Sequence, residues 1–326
     1  MTKLLRNLTL LFGAGLAGAL GAQSTATGFP ARPIRFIVPN AAGGSTDLVA
    51  RSVALKLSES LGQQVIVDNR PGSGGIIGTE LAAKAAPDGY TLLMGTIGNI
   101  AISPHLYRKL SYDPVRDFAP ITQLASAAYM LVTHPSLPVK SVKELVVLAK
   151  AKPGQLSYAS AGSGTGSHLS AELFKSVSAV ELIHIPYKGG TPALIDVMAG
   201  HVQVMFNGIP SSMPHLRTGR INGLAVTTPR RSPAAPQLPT IAEAGFPGAE
   251  STSWTGVLAP AGTPAAIISQ LHGEIARVLQ NPEVKTRLSA NGAVPVGSNP
   301  AEFTAYIRSE LAKWGKVVKA SGATVN

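Results

Sequence analysis

The sequence predicts an α/β fold built as two lobes. Short apolar segments run repeatedly into Gly- or Ser-rich turns and then into amphipathic stretches. Strands that alternate with helices favour parallel sheets covered on both faces. Two apolar crossings, Phe118–Ala125 and Ser251–Pro260, stand where the chain would leave the first lobe and return to it. The expected lobes are residues 29–125 with 249–326, and residues 126–248, so the first lobe is discontinuous with two hinge crossings. About 300 residues outside the leader fit two domains.

The elements follow in order. Ile34–Val38 reads as a strand leading into a helix over Asp47–Leu61, and Gln64–Asp68 as a strand leading into Ile76–Ala85. Tyr90–Met94 enters the turn Gly95–Asn99, Leu156–Ser160 enters His168–Val177, and Gln203–Phe206 leads into Ser211–Thr218. Pro264–Gln280, Pro282–Ala290 and Pro300–Ala320 read as helices that start on proline, whose missing N–H costs nothing there. The Pro-rich passage Thr228–Gly248 reads as a surface connection, and no internal repeat is visible.

The first residues read as an address. Lys3 and Arg6 precede an apolar run, Leu8–Leu20, too short for a membrane span, with small residues through Ala22. Residues 1–22 are therefore an expected signal peptide, with the mature start between Ala22 and Thr27 and a compartment outside the cytoplasmic membrane. No Cys occurs, which removes lipid anchoring, thiol catalysis, Cys-ligated zinc and iron–sulfur clusters. Without residues 1–22 the chain carries 26 basic and 17 acidic residues, a net charge of +9. The basic residues are dispersed and aromatics make up 5%, so small acidic ligands fit better than nucleic acid.

Polar turns at strand ends hold the candidate chemistry. Gly43-Gly44-Ser45-Thr46-Asp47 offers backbone N–H groups and hydroxyls at a helix start, which suits either an anion cradle or a simple helix cap. Ser160–His168 mirrors it in the other lobe, with His168 at the helix start. Thr96–Asn99 and Phe206–Gly208 are two further small polar turns, and Asn207 suits either an amide donor to a ligand or a left-handed turn residue. Pro71–Gly78 has glycines at G-x-G-x-x-x-G, which fails as a dinucleotide loop, and no P-loop pattern occurs. Seven His form no metal-ligand spacing, so neither a metal nor a cofactor is expected. Gly162–Gly166 is not a nucleophile elbow, which leaves a serine hydrolase using Ser163 or Ser45 a minor alternative.

The motifs together resemble the Bug receptors, the extracytoplasmic solute receptors of tripartite tricarboxylate transporters. Those that carry the resemblance are Arg32-Pro-Ile-Arg-Phe-Ile-Val-Pro-Asn-Ala-Ala-Gly-Gly-Ser-Thr-Asp47, Asp68–Gly75, Ala86–Leu93, Tyr158–His168, His184–Gly190, Leu238–Gly245 and Trp254–Pro264. They span essentially the whole chain beyond the leader, in order. The resemblance implies a type II-like, two-lobed periplasmic binding protein of the Venus-flytrap kind. By the same resemblance it is expected to hold a small carboxylate, to work with transient membrane permease subunits and to have no catalytic residues. A receptor feeding a sensor kinase remains an alternative.

By that resemblance the binding role falls on Ala42, Gly43, Gly44, Ser45, Thr46 and Asp47, then on Thr96 and Asn99, and in the second lobe on Gly164, Thr165, Ser167, His168 and Asn207. Asn40 stands where many members have an aromatic residue, and Asn207 where many have Asp. Asn40 removes stacking on an aromatic ligand, and Asn207 removes the carboxylate an amino acid's ammonium group wants. Both departures imply a polar, purely acidic ligand, with Asn40 the position that tunes which acid fits.

Overall fold

The computed structural model describes residues 28–290 and 292–322. The expected signal peptide and cleavage region lie outside the described residues. Among the described residues no helix is long and apolar enough to cross a membrane.

The chain begins β1 (Ile34–Val38), α1 (Ser45–Leu61), β2 (Val65–Asn69), a 3-10 turn at Ser73–Gly75, α2 (Ile76–Ala83) and β3 (Thr91–Thr96). A π-helical turn, Ile97–Ile102, runs into the short α3 (Ser103–Leu106) and then β4 (Phe118–Thr133). Next come α4 (Val142–Ala151), β5 (Ser157–Ser160), α5 (Gly166–Ser178), β6 (Ile183–Pro186), α6 (Gly190–Met198), β7 (Val204–Gly208), α7 (Ile209–Arg217) and β8 (Asn222–Val226). The chain returns through β9 (Thr252–Pro260) and closes with α8 (Ala265–Gln280), α9 (Pro282–Ala290), β10 (Ala293–Pro295) and α10 (Pro300–Ser321).

The strand order is β2-β1-β3-β9-β4-β7-β5-β6, with β10 and β8 also paired to β4. β1 is parallel to β2 and β3, and β5 is parallel to β6 and β7. β9 runs antiparallel to both β3 and β4, and β4 antiparallel to β7 and β8. The expectation of parallel sheets therefore holds for the outer strands and fails at the crossings. A strand that carries the chain out of a sheet and one that brings it back point opposite ways, so they pair antiparallel. β4 serves both sheets: Phe118–Ala128 pairs with β9, and Tyr129–Thr133 pairs with β7.

The apolar pattern explains the layers. Ile34, Phe36, Ile37 and Val38 of β1 are all buried, as a parallel strand covered on both faces requires. Val49, Val53 and Leu57 of α1 meet Leu271 and Ile275 of α8 on one face of the first sheet. Ile97 and Ile100 meet Phe303 and Trp314 of α10 on the other face, joined there by Leu169 and Leu173 of α5. The second sheet is covered by α4 and α5 through Leu145 and Phe174, and by α6 through Leu194 and Val197. Each such side chain contributes on the order of 1.5–3 kcal/mol by leaving water. Trp254 and Trp314 are buried with both indole N–H groups donated to Glu310 Oε2, at 3.1 and 3.0 Å.

Candidate functional site

Five turns at the carboxyl ends of β1, β3, β5, β6 and β7 form a connected series, the place where ligands sit in open α/β sheets. A methyl group on Gly75 would lie 3.3 Å from Pro39 Cβ and 3.4 Å from Asn99 Cβ, which sets the β1 turn beside the β3 turn. One on Gly98 would lie 3.7 Å from the Gly164 carbonyl oxygen, linking the β3 turn to the β5 turn across the two sheets. One on Gly162 would lie 3.1 Å from the Tyr187 carbonyl oxygen, and one on Gly190 3.3 Å from Asn207 Oδ1. The β5, β6 and β7 turns are thereby neighbours as well.

The β1 turn is held open from within. Asp47 Oδ2 accepts from Gly43 N–H at 2.8 Å and from Arg51 Nε at 2.9 Å, while Oδ1 accepts from Asn69 Nδ2 at 3.0 Å. Burial raises the Asp47 pKa, but the hydrogen bonds from Arg51, Gly43 and Asn69 outweigh it and hold the carboxyl below its usual range. Arg51 Nη2 donates to Asn69 Oδ1 at 2.9 Å, so the guanidinium beside the turn is bonded on two sides. Ala42, Gly43, Gly44 and Ser45 are exposed and Thr46 is half-buried. Gly44 caps α1 without a side-chain hydrogen bond, leaving the positive helix end open. Asn40 is half-buried, with its Oδ1 buried and unpartnered.

The β3 turn is a closed capping box. Asn99 Oδ1 accepts from Thr96 N and Oγ1, both at 2.7 Å, and its Nδ2 donates to Thr79 Oγ1 at 2.7 Å. The Asn99 side chain is buried and fully engaged, so it shapes the turn, while Thr96 is half-buried.

The β5 turn satisfies itself in the same way. Ser167 Oγ accepts from Ala161 N at 2.9 Å, Thr165 Oγ1 donates to the Gly162 carbonyl at 2.7 Å, and His168 Nδ1 accepts from Gly164 N at 3.1 Å. The His168 imidazole points into the lobe, where its ring stacks at 4.1 Å on His184 and at 6.4 Å on Tyr158. Burial pushes the His168 pKa down to about 4, and burial with the adjacent His168 ring takes His184 to about 4. Ser160 Oγ lies 2.6 Å from His184 Nε2, yet Ser160 is buried and accepts from Gly162 N at 3.1 Å. The exposed Ser163 and Ser45 have no such imidazole neighbour among the described contacts.

In the β7 turn Asn207 Nδ2 donates to Ser211 Oγ at 2.9 Å and Ser212 Oγ at 3.0 Å. α6 and α7 also start on glycines that give no side-chain cap, Gly189 and Gly208. The arrangement offers backbone N–H groups, hydroxyls and open helix ends to an anion. Sequence reasoning overlooked two contributors. The turn Tyr187–Gly190 lies within the stretch His184–Gly190, and Asn69, between Asp68 and Arg70, acts through its neighbouring strand. Among the described residues no cluster of His, Asp or Glu is placed to hold a metal ion.

The family described as "Tripartite tricarboxylate transporter family receptor" matches residues 49–323. Protein BugT of Bordetella pertussis is 38% identical over 325 residues, covering 99% of this chain and 98% of its own. The solved structure of R. palustris Rpa4515 with adipate is 41% identical with a TM-score of 0.85, covering 91% of this chain and 100% of that one. MatC from Rhodopseudomonas palustris with bound malate is 34% identical with a TM-score of 0.81, over 89% and 100% of the two chains.

Proposed function

The chain belongs to the receptor family of tripartite tricarboxylate transporters, and from that premise we propose that it captures a small carboxylate in the periplasm and delivers it to a membrane permease of that type. The ligand lies between a lobe of residues 29–125 with 249–326 and a lobe of residues 126–248, and contacts to both select the closed state. Asn40, Ala42, Gly43, Gly44, Ser45, Thr46, Thr96, Gly164, Thr165, Ser167 and Asn207 line the site. Asp47, Asn99 and His168 hold its turns in shape. The protein performs no reaction.

One observation carries this reading. Five strand-end turns meet with open helix ends and hydroxyls, while the adjacent Arg51 is bonded to Asp47 and Asn69. That donor set binds a carboxylate without activating it. The adipate and malate held by the two neighbours support a dicarboxylate.

Titration calorimetry and thermal melts with adipate, malate, citrate, aspartate and benzoate test the assignment. A dicarboxylate at a hundred times its Kd should stabilise the fold by about 2.7 kcal/mol. No binding by any of the five, or labelling by a serine-reactive fluorophosphonate with turnover of a generic ester, would reject it.

A further inference from the structure

A recess lies beneath the first turn of α1, between that helix and the crossing strands. Ser45 and Thr46 border it on the helix side, and Ala125 of β4, Thr255 of β9 and Ala293 of β10 border it on the sheet side. Thr255 stands in register with Thr96 of β3 on one side and Ala125 of β4 on the other. Strand residues two apart share a face, so Thr255 projects with Val257 and Ala259 into the layer that contains Val49 of α1.

Thr255 is only 9% exposed, and its Oγ1 is buried without a hydrogen-bond partner. An orphaned hydroxyl in a protein interior costs free energy, so it calls for a reason. Above it the seventeen-residue α1 starts on Gly44, which supplies no side-chain cap. The acid of the first turn, Asp47, is turned onto Gly43, Asn69 and Arg51, which neutralises it. The recess therefore joins a positive helix end, the Ser45 and Thr46 side chains and an unused buried donor. Its remaining walls are the apolar Val49, Ala125, Ala127, Trp254 and Ala293, with Ser126 and Ser253 among them.

We propose that this recess is a subsite for one carboxylate of an unbranched dicarboxylate. The Thr255 hydroxyl donates to it together with Ser45 and Thr46, and the ligand's methylene groups lie along Val49, Ala125 and Ala293. The assignment rests on the reading of the protein as a carboxylate receptor and names the end of the ligand that the glycine turns do not hold. Val49, Ala125 and Ala293 suit a methylene chain, and the hydroxyls of Thr255, Ser45 and Thr46 suit the acid that ends it.

Titration calorimetry with malonate, succinate, glutarate and adipate, and with hexanoate as a one-acid control, tests it on the unaltered protein and on Thr255→Val and Thr255→Ser. Valine keeps the shape and removes the donor. For the tightest-binding diacid, Thr255→Val should weaken binding about tenfold, the effect of one hydrogen bond to a charged group. Thr255→Ser should restore most of the loss, and hexanoate binding should be the same in all three proteins. The unliganded melting temperature of Thr255→Val should stay level or rise, because a methyl replaces an unpaired hydroxyl. A lower melting temperature would mean that the hydroxyl serves the fold and would overturn the assignment. Undiminished diacid binding by Thr255→Val would overturn the subsite and leave the carboxylate receptor standing. Failure of the unaltered protein to bind any of the five acids would overturn the subsite, and the receptor reading falls with it only if malate, citrate, aspartate and benzoate also fail to bind.

Discussion

Asn69, at the end of β2, donates from Nδ2 to Asp47 Oδ1 at 3.0 Å and so ties the start of α1 to the neighbouring strand. The same amide donates to the Asn40 carbonyl at 3.0 Å. One side chain thus holds both ends of the Asn40–Asp47 turn. Asn69→Ala should destabilise the protein by about 1–3 kcal/mol through the lost bonds and the stranded Asp47 oxygen. Carboxylate binding should weaken about tenfold as well, since the ligand would then have to order the turn itself. Chemical denaturation and calorimetry on the same variant read both effects, and unchanged affinity would count against the clamp.

The stacked imidazoles of His168 and His184 set a response to acid. Both titrate at about 4 in the fold, against 6.5 for the free group, so between those values the unfolded chain binds more protons. Stability must then fall as pH drops from 6.5 toward 4. For the buried His168 alone the loss is on the order of 3 kcal/mol. His168→Gln keeps an acceptor for Gly164 N and should flatten the melting temperature between pH 6.5 and 4.5. A curve as steep as that of the unaltered protein would contradict this.

Asp47 acts in a lower window. Its folded pKa lies below the ordinary carboxylate value of 3.8, so its stabilisation is present above that value and disappears as pH falls through the folded pKa. Asp47→Asn should therefore remove part of the acid sensitivity below pH 4 while lowering stability at pH 7. Melts at the two pH values separate it from the histidine effect.

Glu310 is the shared acceptor of two buried indoles. Glu310→Leu leaves both N–H groups unpaired and should cost about 2–4 kcal/mol. Glu310→Gln retains an acceptor oxygen and should cost less. Equal losses in the two variants would mean that packing, and not the hydrogen bonds, sets the penalty.

Two glycines give a contrast of close approach and open space. A methyl group on Gly256 of β9 would overlap the Phe303 ring and lie 2.9 Å from the Thr122 carbonyl oxygen, which the strand pairing holds in place. Gly256→Ala should therefore cost about 1–3 kcal/mol. Gly273 in α8 has nothing within 4 Å of the added group, and Gly273→Ala should stabilise by up to about 1 kcal/mol. Denaturation midpoints that move the same way for both would be the wrong result.

Much of the fold is written in local pattern. Ile34–Val38 occurs as the strand its apolar run foretells, and the proline-led helices begin at or beside their prolines. β4 extends beyond its legible part because Ser126, Ala127 and Ala128 break the apolar run, although backbone pairing on both edges carries the strand to Thr133. β10 is three residues long and ends in Pro295, so it exists only through its pairing with β4. At the site, composition exposes the glycine turns but not the work of single side chains. Asn69 reaches Asp47 because the β1–β2 register places it opposite Val38, a relation between segments that no local window contains. His168 reads as a helix-start residue near a ligand, yet tertiary packing supplies rings for it to stack on. Thr255 looks like any strand threonine until the neighbours that leave it unpaired are known.

The continuous β4 also governs how the protein comes apart. Melting either sheet strips hydrogen bonds from a strand on which the other sheet depends, Ala128 pairing with Thr252 and the next residue, Tyr129, with Gly208. Loss of order in one half propagates into the other through a single stretch of backbone. The shared strand should couple the unfolding of the two halves, and the amides near that junction should be among the slowest to exchange with solvent.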